Sequence, residues 1–143
     1  MIRFVVSLSW MICMSAFALE EDSPPVEKPK TVEENVAAIR TATFFSIGGI
    51  GFAATLNPSE IALQALVKQP DGLAQCRRLL DTATPAGQLY ALYGLKLLDP
   101  KGFQAELPRF QKSKTKVSAM SGCSGYEDTV GKIASQIDRR DFP

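Results

Sequence analysis

The sequence predicts an all-α domain, a compact bundle of about six helices with at most one short strand. Three observations carry that expectation. A capping residue followed by proline at the first helical position recurs at Asn57-Pro58, Thr84-Pro85 and Asp99-Pro100, where the missing N–H is no loss and the fixed φ suits a helix. Apolar residues return at helical spacing, as at Leu73, Cys76, Leu79 and Leu80. The alternating run Lys116-Val117-Ser118-Ala119-Met120 is long enough for a single candidate strand only.

The order of the first residues sets the compartment. Arg3 precedes an uncharged segment from Phe4 to Phe17, and Ala16-Phe17-Ala18 stands just before Glu20-Glu21-Asp22. Residues 1–18 read as an export signal cleaved after Ala18, too short for a span of about 20 apolar residues. The mature protein is therefore expected in a periplasm or outside the cell, without membrane contact. Residues 19–30, LEEDSPPVEKPK, are acidic and proline-rich and read as a disordered leader. Residues 31–143 form one helical domain. The formal net charge is +1, and loss of Arg3 brings it to balance, so no global field points to nucleic acid.

The elements follow in order. Thr31-Val32-Glu33-Glu34 offers a capping box and opens a helix to about Thr43. FFSIGGIGFAA comes next, and its Gly49-x-Gly51-x-x-Ala54 outlines a nucleotide-binding fingerprint. A new helix at Asn57-Pro58 leaves no room for the crossover that such a site needs. The run is expected to pack instead, with Phe44, Phe45, Ile47, Ile50 and Phe52 filling the base of the core. The Asn57-Pro58 helix breaks at Gln69-Pro70, and the next runs from Asp71 to near Ala83. The Thr84-Pro85 helix is apolar almost all round, which marks it as the most buried. From Asp99-Pro100 a helix continues through Phe103, Leu107 and Phe110, with a kink or early end at Pro108. Ser121 to Gly125 is a turn, and a final helix spans Tyr126 to Asp138.

Two of these stretches repeat one another. ALQALVKQPDGLAQCRRLL from Ala62 aligns with ALYGLKLLDPKGFQAELPRF from Ala91, a helix, a turn with proline and acid, and a helix. Around Tyr90 to Pro100 the sequence resembles HEAT-like repeats, whose first helix often closes with an Ala-Leu-Gly-x-Leu-x-Asp pattern. The resemblance covers Pro58 to Lys112 and implies two stacked helical hairpins. It implies no functional residue.

The chain has no histidine, which removes an essential member from Ser-His-Asp and Cys-His systems and from the common metal sites. Ser113-Lys114-Thr115-Lys116 matches Ser-x-x-Lys but lacks its companion motifs. The acids Glu60, Asp71 and Asp99 sit at helix starts, where helix electrostatics accounts for them. No catalytic, cofactor or metal site is expected; a carboxylate hydrolase would need two acids converging in one cleft. Export leaves an even pair, Cys76 and Cys123, for which a disulfide is expected. Its closed loop of about 47 residues would add about 4 kcal/mol in the chain-entropy picture. That bond would staple the last helix to the Cys76 helix. Arg109, Lys112, Lys114 and Lys116 gather four bases without an acid, a candidate patch for an acidic partner. The function expected is non-catalytic binding of another exported protein or envelope component. The alternative is a carrier of a small ligand or lipid, with an apolar cavity lined by Leu89, Tyr90, Leu92, Tyr93 and Phe103.

Overall fold

The computed structural model describes residues 30–140. The export signal expected over 1–18 and all of the expected leader except Lys30 lie outside the described residues. The elements run α1 (Val32–Arg40), β1 (Phe44–Phe45), α2 (Pro58–Leu66), α3 (Gly72–Thr82), α4 (Pro85–Leu98), α5 (Pro100–Gln111), β2 (Lys116–Ser121), β3 (Ser124–Thr129) and α6 (Val130–Arg139).

The helix starts follow from their caps. Thr31 and Glu34 close the capping box on α1, and Asn57, Thr84 and Asp99 each accept a first-turn N–H through the side chain. In all three proline-led helices the proline stands at the opening of the helix. Pro108 does not end α5, which runs on to Gln111. It lies in the last turn on the exposed face, where the loss of one helical hydrogen bond costs least.

The pure all-α expectation is overturned by a three-stranded mixed sheet in the order β1-β2-β3. β1 pairs parallel to β2, with Phe44 opposite Ser118 and Phe45 opposite Ala119, while β2 and β3 form an antiparallel hairpin. Residues 126–129, expected as helix, complete β3. Tyr126, Glu127 and Asp128 supply no apolar helical stripe, and Thr129 caps α6 by accepting the Lys132 N–H. Gly122 takes φ +57° in the two-residue turn, the left-handed geometry a tight hairpin demands.

α4 is the centre of the core. Its residues Leu89, Tyr90, Ala91, Leu92 and Leu95 are fully buried, and α3, α5, α6, α2 and β1 all pack on it. α3 and α2 lie close on α4 at Gly94, where an added Cβ would stand 2.7 Å from Cys76 Sγ and 2.9 Å from Leu63 Cδ1. α2 makes its main contacts with α1, and α6 lies on α5 and α4. Lys96 of α4 closes the C-terminal end of α6, its Nζ donating to the carbonyls of Ile137 at 2.8 Å and Arg140 at 2.9 Å.

The disulfide expected between Cys76 and Cys123 is not formed. Cys76 is buried under α4 and Cys123 is exposed in the β2–β3 turn, both as free thiols. Burial pushes the Cys76 thiol up to about 11, which makes it a poor nucleophile. The last helix is held by apolar packing of Val130, Ile133, Ala134 and Ile137 instead.

The short strand β1 is placed by the cap of α4 and by one side chain within it. Thr84 Oγ1 donates to the Ala42 carbonyl at 2.6 Å, and Phe45 packs its ring 4.9 Å from that of Tyr90. The Tyr90 hydroxyl then donates to the Ser46 carbonyl at 2.9 Å, while the Ser46 N–H and the Asn57 amide each donate to it at 3.0 Å. Tyr90→Phe removes the phenol from the buried Ser46 N–H and carbonyl and leaves the Asn57 amide with only Ser46 Oγ, without creating a large cavity. Urea unfolding of that variant is expected to show a loss of about 2–3 kcal/mol with little change in m.

Candidate functional site

The start of α2 is locked on several sides. Asn57 Oδ1 accepts the Ser59 N–H at 3.0 Å, its Nδ2 reaches the Tyr90 hydroxyl, and Ser59 Oγ donates to the Ala38 carbonyl at 3.2 Å. These bonds fix the first turn of the helix against α4 and α1. The next residue, Glu60, is thereby carried inside.

Glu60 is only 4% exposed. Its Oε1 accepts the Gly48 N–H at 3.0 Å, whereas its Oε2 is buried and has no hydrogen-bond partner among the described residues. Loss of hydration raises its pKa above the usual carboxylate value, and the Gly48 N–H opposes that shift. Tyr90 is also raised, first by burial, with the nearby Glu60 charge adding to the effect.

Glu60 lines a groove of about 310 Å³ between α2 and α4. Ile47, Leu63, Val67 and Leu97 supply its apolar walls, and Tyr93 completes the α4 side. Gln64 and Lys68 are exposed where they meet it. Leu97 is 53% exposed although it is one of the larger aliphatic residues. The groove therefore combines apolar surface with a single unmatched carboxyl oxygen.

The glycine run borders this site. No helix opens at the glycines: Ile50 and Thr55 form an isolated antiparallel bridge, and Gly48 and Gly51 take φ +88° and +71°. The Gly51 N–H donates to the Gly122 carbonyl at 3.0 Å, which ties this loop to the β2–β3 turn. Phe45 is buried as expected, but Phe52 is fully exposed at the loop tip rather than in the core.

The basic residues singled out in the sequence divide among three places. Arg109 meets Asp81 at 2.9 Å and Glu106 at 3.3 Å, and lies over the Phe110 ring. Lys116 pairs across the hairpin with Glu127 at 2.9 Å. Lys112 and Lys114 converge with Lys132 and Arg139 on a surface cleft of about 630 Å³. Of the residues expected to line a carrier cavity, Leu89, Tyr90, Leu92 and Phe103 are close-packed core, and Tyr93 lies on the groove.

Sequence reasoning assigned Glu60 to helix electrostatics and missed its burial. The signal was available: Glu60, Leu63, Gln64 and Val67 stand at i, i+3, i+4 and i+7, one face of α2. An acid on that face shares it with apolar neighbours. Comparison with protein-family models, with curated proteins and with solved structures gives no match for this chain.

A raised carboxyl pKa makes a signed statement about stability. The folded chain holds the Glu60 proton more tightly than the unfolded chain, so this group's contribution falls as pH rises from about 4.5 through the folded value, and then levels. Glu60→Gln is expected to remove that fall. The stability of the variant relative to the parent, measured by urea unfolding from pH 4 to pH 8, should increase with pH; a constant difference would contradict the burial of an ionisable group here.

Proposed function

We propose that this is an exported, non-catalytic binding protein that holds a small, mostly apolar molecule in the groove between α2 and α4. The observation that carries the reading is Glu60 Oε2, a buried polar atom without a partner on a wall of apolar side chains. Native structures satisfy nearly all such atoms, so each exception calls for a functional or structural explanation, and a ligand donor entering the groove is one that fits its apolar lining. The volume of about 310 Å³ sits at the lower end of the range of about 300–1,000 Å³ typical of small-molecule sites. Binding without chemistry is favoured by the groove's polar inventory. Besides Glu60 it holds Gln64, Lys68 and Tyr93, with no second carboxyl to share acid and base roles. Export is supported by the charge and apolar order of residues 1–18.

Native mass spectrometry of the protein recovered from its own cells tests this reading. A bound mass should accompany the parent protein and be reduced about tenfold or more in Leu97→Asp, which charges the groove at an exposed position. Absence of any adduct, together with no uptake of an apolar fluorescent probe by the groove, would overturn it.

A second reading rests on Phe52. A fully exposed phenylalanine on an uncharged loop tip suits contact with another exported protein or envelope component, since aromatic anchors dominate such interfaces. Cross-linking in cells is expected to capture a partner with the parent and to lose it with Phe52→Ser. Equal capture by both would remove the loop from the interface.

A further inference from the structure

We propose that the occupant of the α2–α4 groove is a primary ammonium ion with a short apolar tail, its head on Glu60 and its tail along Leu63, Val67 and Leu97. This inference rests on the groove being a ligand site. It adds which chemical class the site selects.

The argument starts from what Glu60 lacks. Oε1 already has the Gly48 N–H, and Oε2 has nothing. A carboxylate with two oxygens accepts several donors, and an ionised one gains most from a donor that also carries positive charge. An alcohol supplies the donor without the charge. A carboxylic acid supplies neither at neutral pH and adds like-charge repulsion. An ammonium head supplies both, and its three N–H groups tolerate a range of approach angles. Binding of such a head requires the buried Oε2 to turn toward the groove that Glu60 lines.

The other groups near Glu60 do not take that role. From α4, the Tyr90 hydroxyl is occupied by Ser46 and Asn57, and Tyr93 is a phenol, not a cation. From the segment after β1 comes only the Gly48 N–H. On α2, Gln64 is neutral, and Lys68 is exposed beyond the C-terminus of the helix, about 12 Å along the axis from Glu60 by helical rise. Among the described residues, none supplies a base to the buried acid. Glu60 and the exposed Leu97 line the same groove with Leu63 and Val67, which suits a head at the buried acid and a tail along the apolar residues.

Proton linkage follows from the same geometry. The ammonium ion binds the ionised carboxyl, so binding expels the proton wherever Glu60 is protonated in the free protein. Affinity should rise with pH above the ordinary carboxylate range, level off, and fall again as the amine loses its charge near pH 10.

Calorimetry on the mature protein with n-hexylammonium, hexanol and hexanoate tests the proposal. Hexylammonium is expected to bind about tenfold or more tighter than the other two at pH 7, with proton release visible as a heat that changes with buffer ionisation enthalpy at pH 5. In Glu60→Gln the preference should shrink to about twofold, and the buffer dependence should vanish. Should that variant fail to fold, the buffer dependence and pH profile of the parent still decide. Equal binding of hexanol and hexylammonium, both lost in Leu97→Asp, would keep the groove as a ligand site and overturn its choice of ammonium. No binding of any of the three would overturn both readings.

Discussion

The Tyr90 hydroxyl organises the half of the molecule that bears the candidate site. One oxygen on the central helix joins both ends of an otherwise irregular segment: Ser46 through its N–H and carbonyl, and Asn57 through its side-chain amide. All of these groups are buried, where an unpaired polar atom is expensive. Because the bonds are mutually dependent, the phenol, the serine and the asparagine hold one arrangement together. β1 can then lie parallel to β2 with only two residues, a strand too short to persist on its own pairing.

That constraint also decides where α2 begins. Asn57 both caps the helix and reaches Tyr90, so the orientation of the first turn is not free to relax. Glu60 follows one turn later and has to lie inside, against Gly48, because the helix cannot roll away from α4. The loop between Gly48 and Leu56 is held at its base and at Gly51, and the tip with Phe52 projects beyond both anchors.

Local chemistry was legible in the sequence wherever the partner was a near neighbour. Thr31 with Glu34, and Asn57, Thr84 and Asp99 with the prolines after them, marked helix starts that the structure bears out. The all-round apolar pattern likewise identified α4 as the most buried helix. What could not be read depends on distant pairing. β1 exists because Phe44 and Phe45 meet Ser118 and Ala119, and β3 is exposed along most of its length, so it carries no alternating pattern. The basic run is divided among several places for a related reason. Its residues pass from the last turn of α5 through a turn into β2, and each element hands its side chain to a different acid or cleft. The burial of Glu60 was half legible: the helical face was visible, but the Gly48 N–H that meets it lies across an irregular loop.

The energetic position of Glu60 is the strongest reason to connect fold with function. At the first turn of α2 it gains from the helix dipole and from one backbone N–H. Glutamate at the same place on a helix surface would keep the dipole and full hydration. Burial removes the hydration and returns a single hydrogen bond, so the folded state carries an acid whose charge it disfavours. A leucine or glutamine here would fit the apolar wall with less strain on the electrostatics. Proteins commonly give up stability at sites that must meet a ligand, because the groups that would satisfy the site internally would also block it. The chain places Leu97 and Tyr93 along the α4 side of the groove, and among the described residues no donor reaches the second oxygen of Glu60.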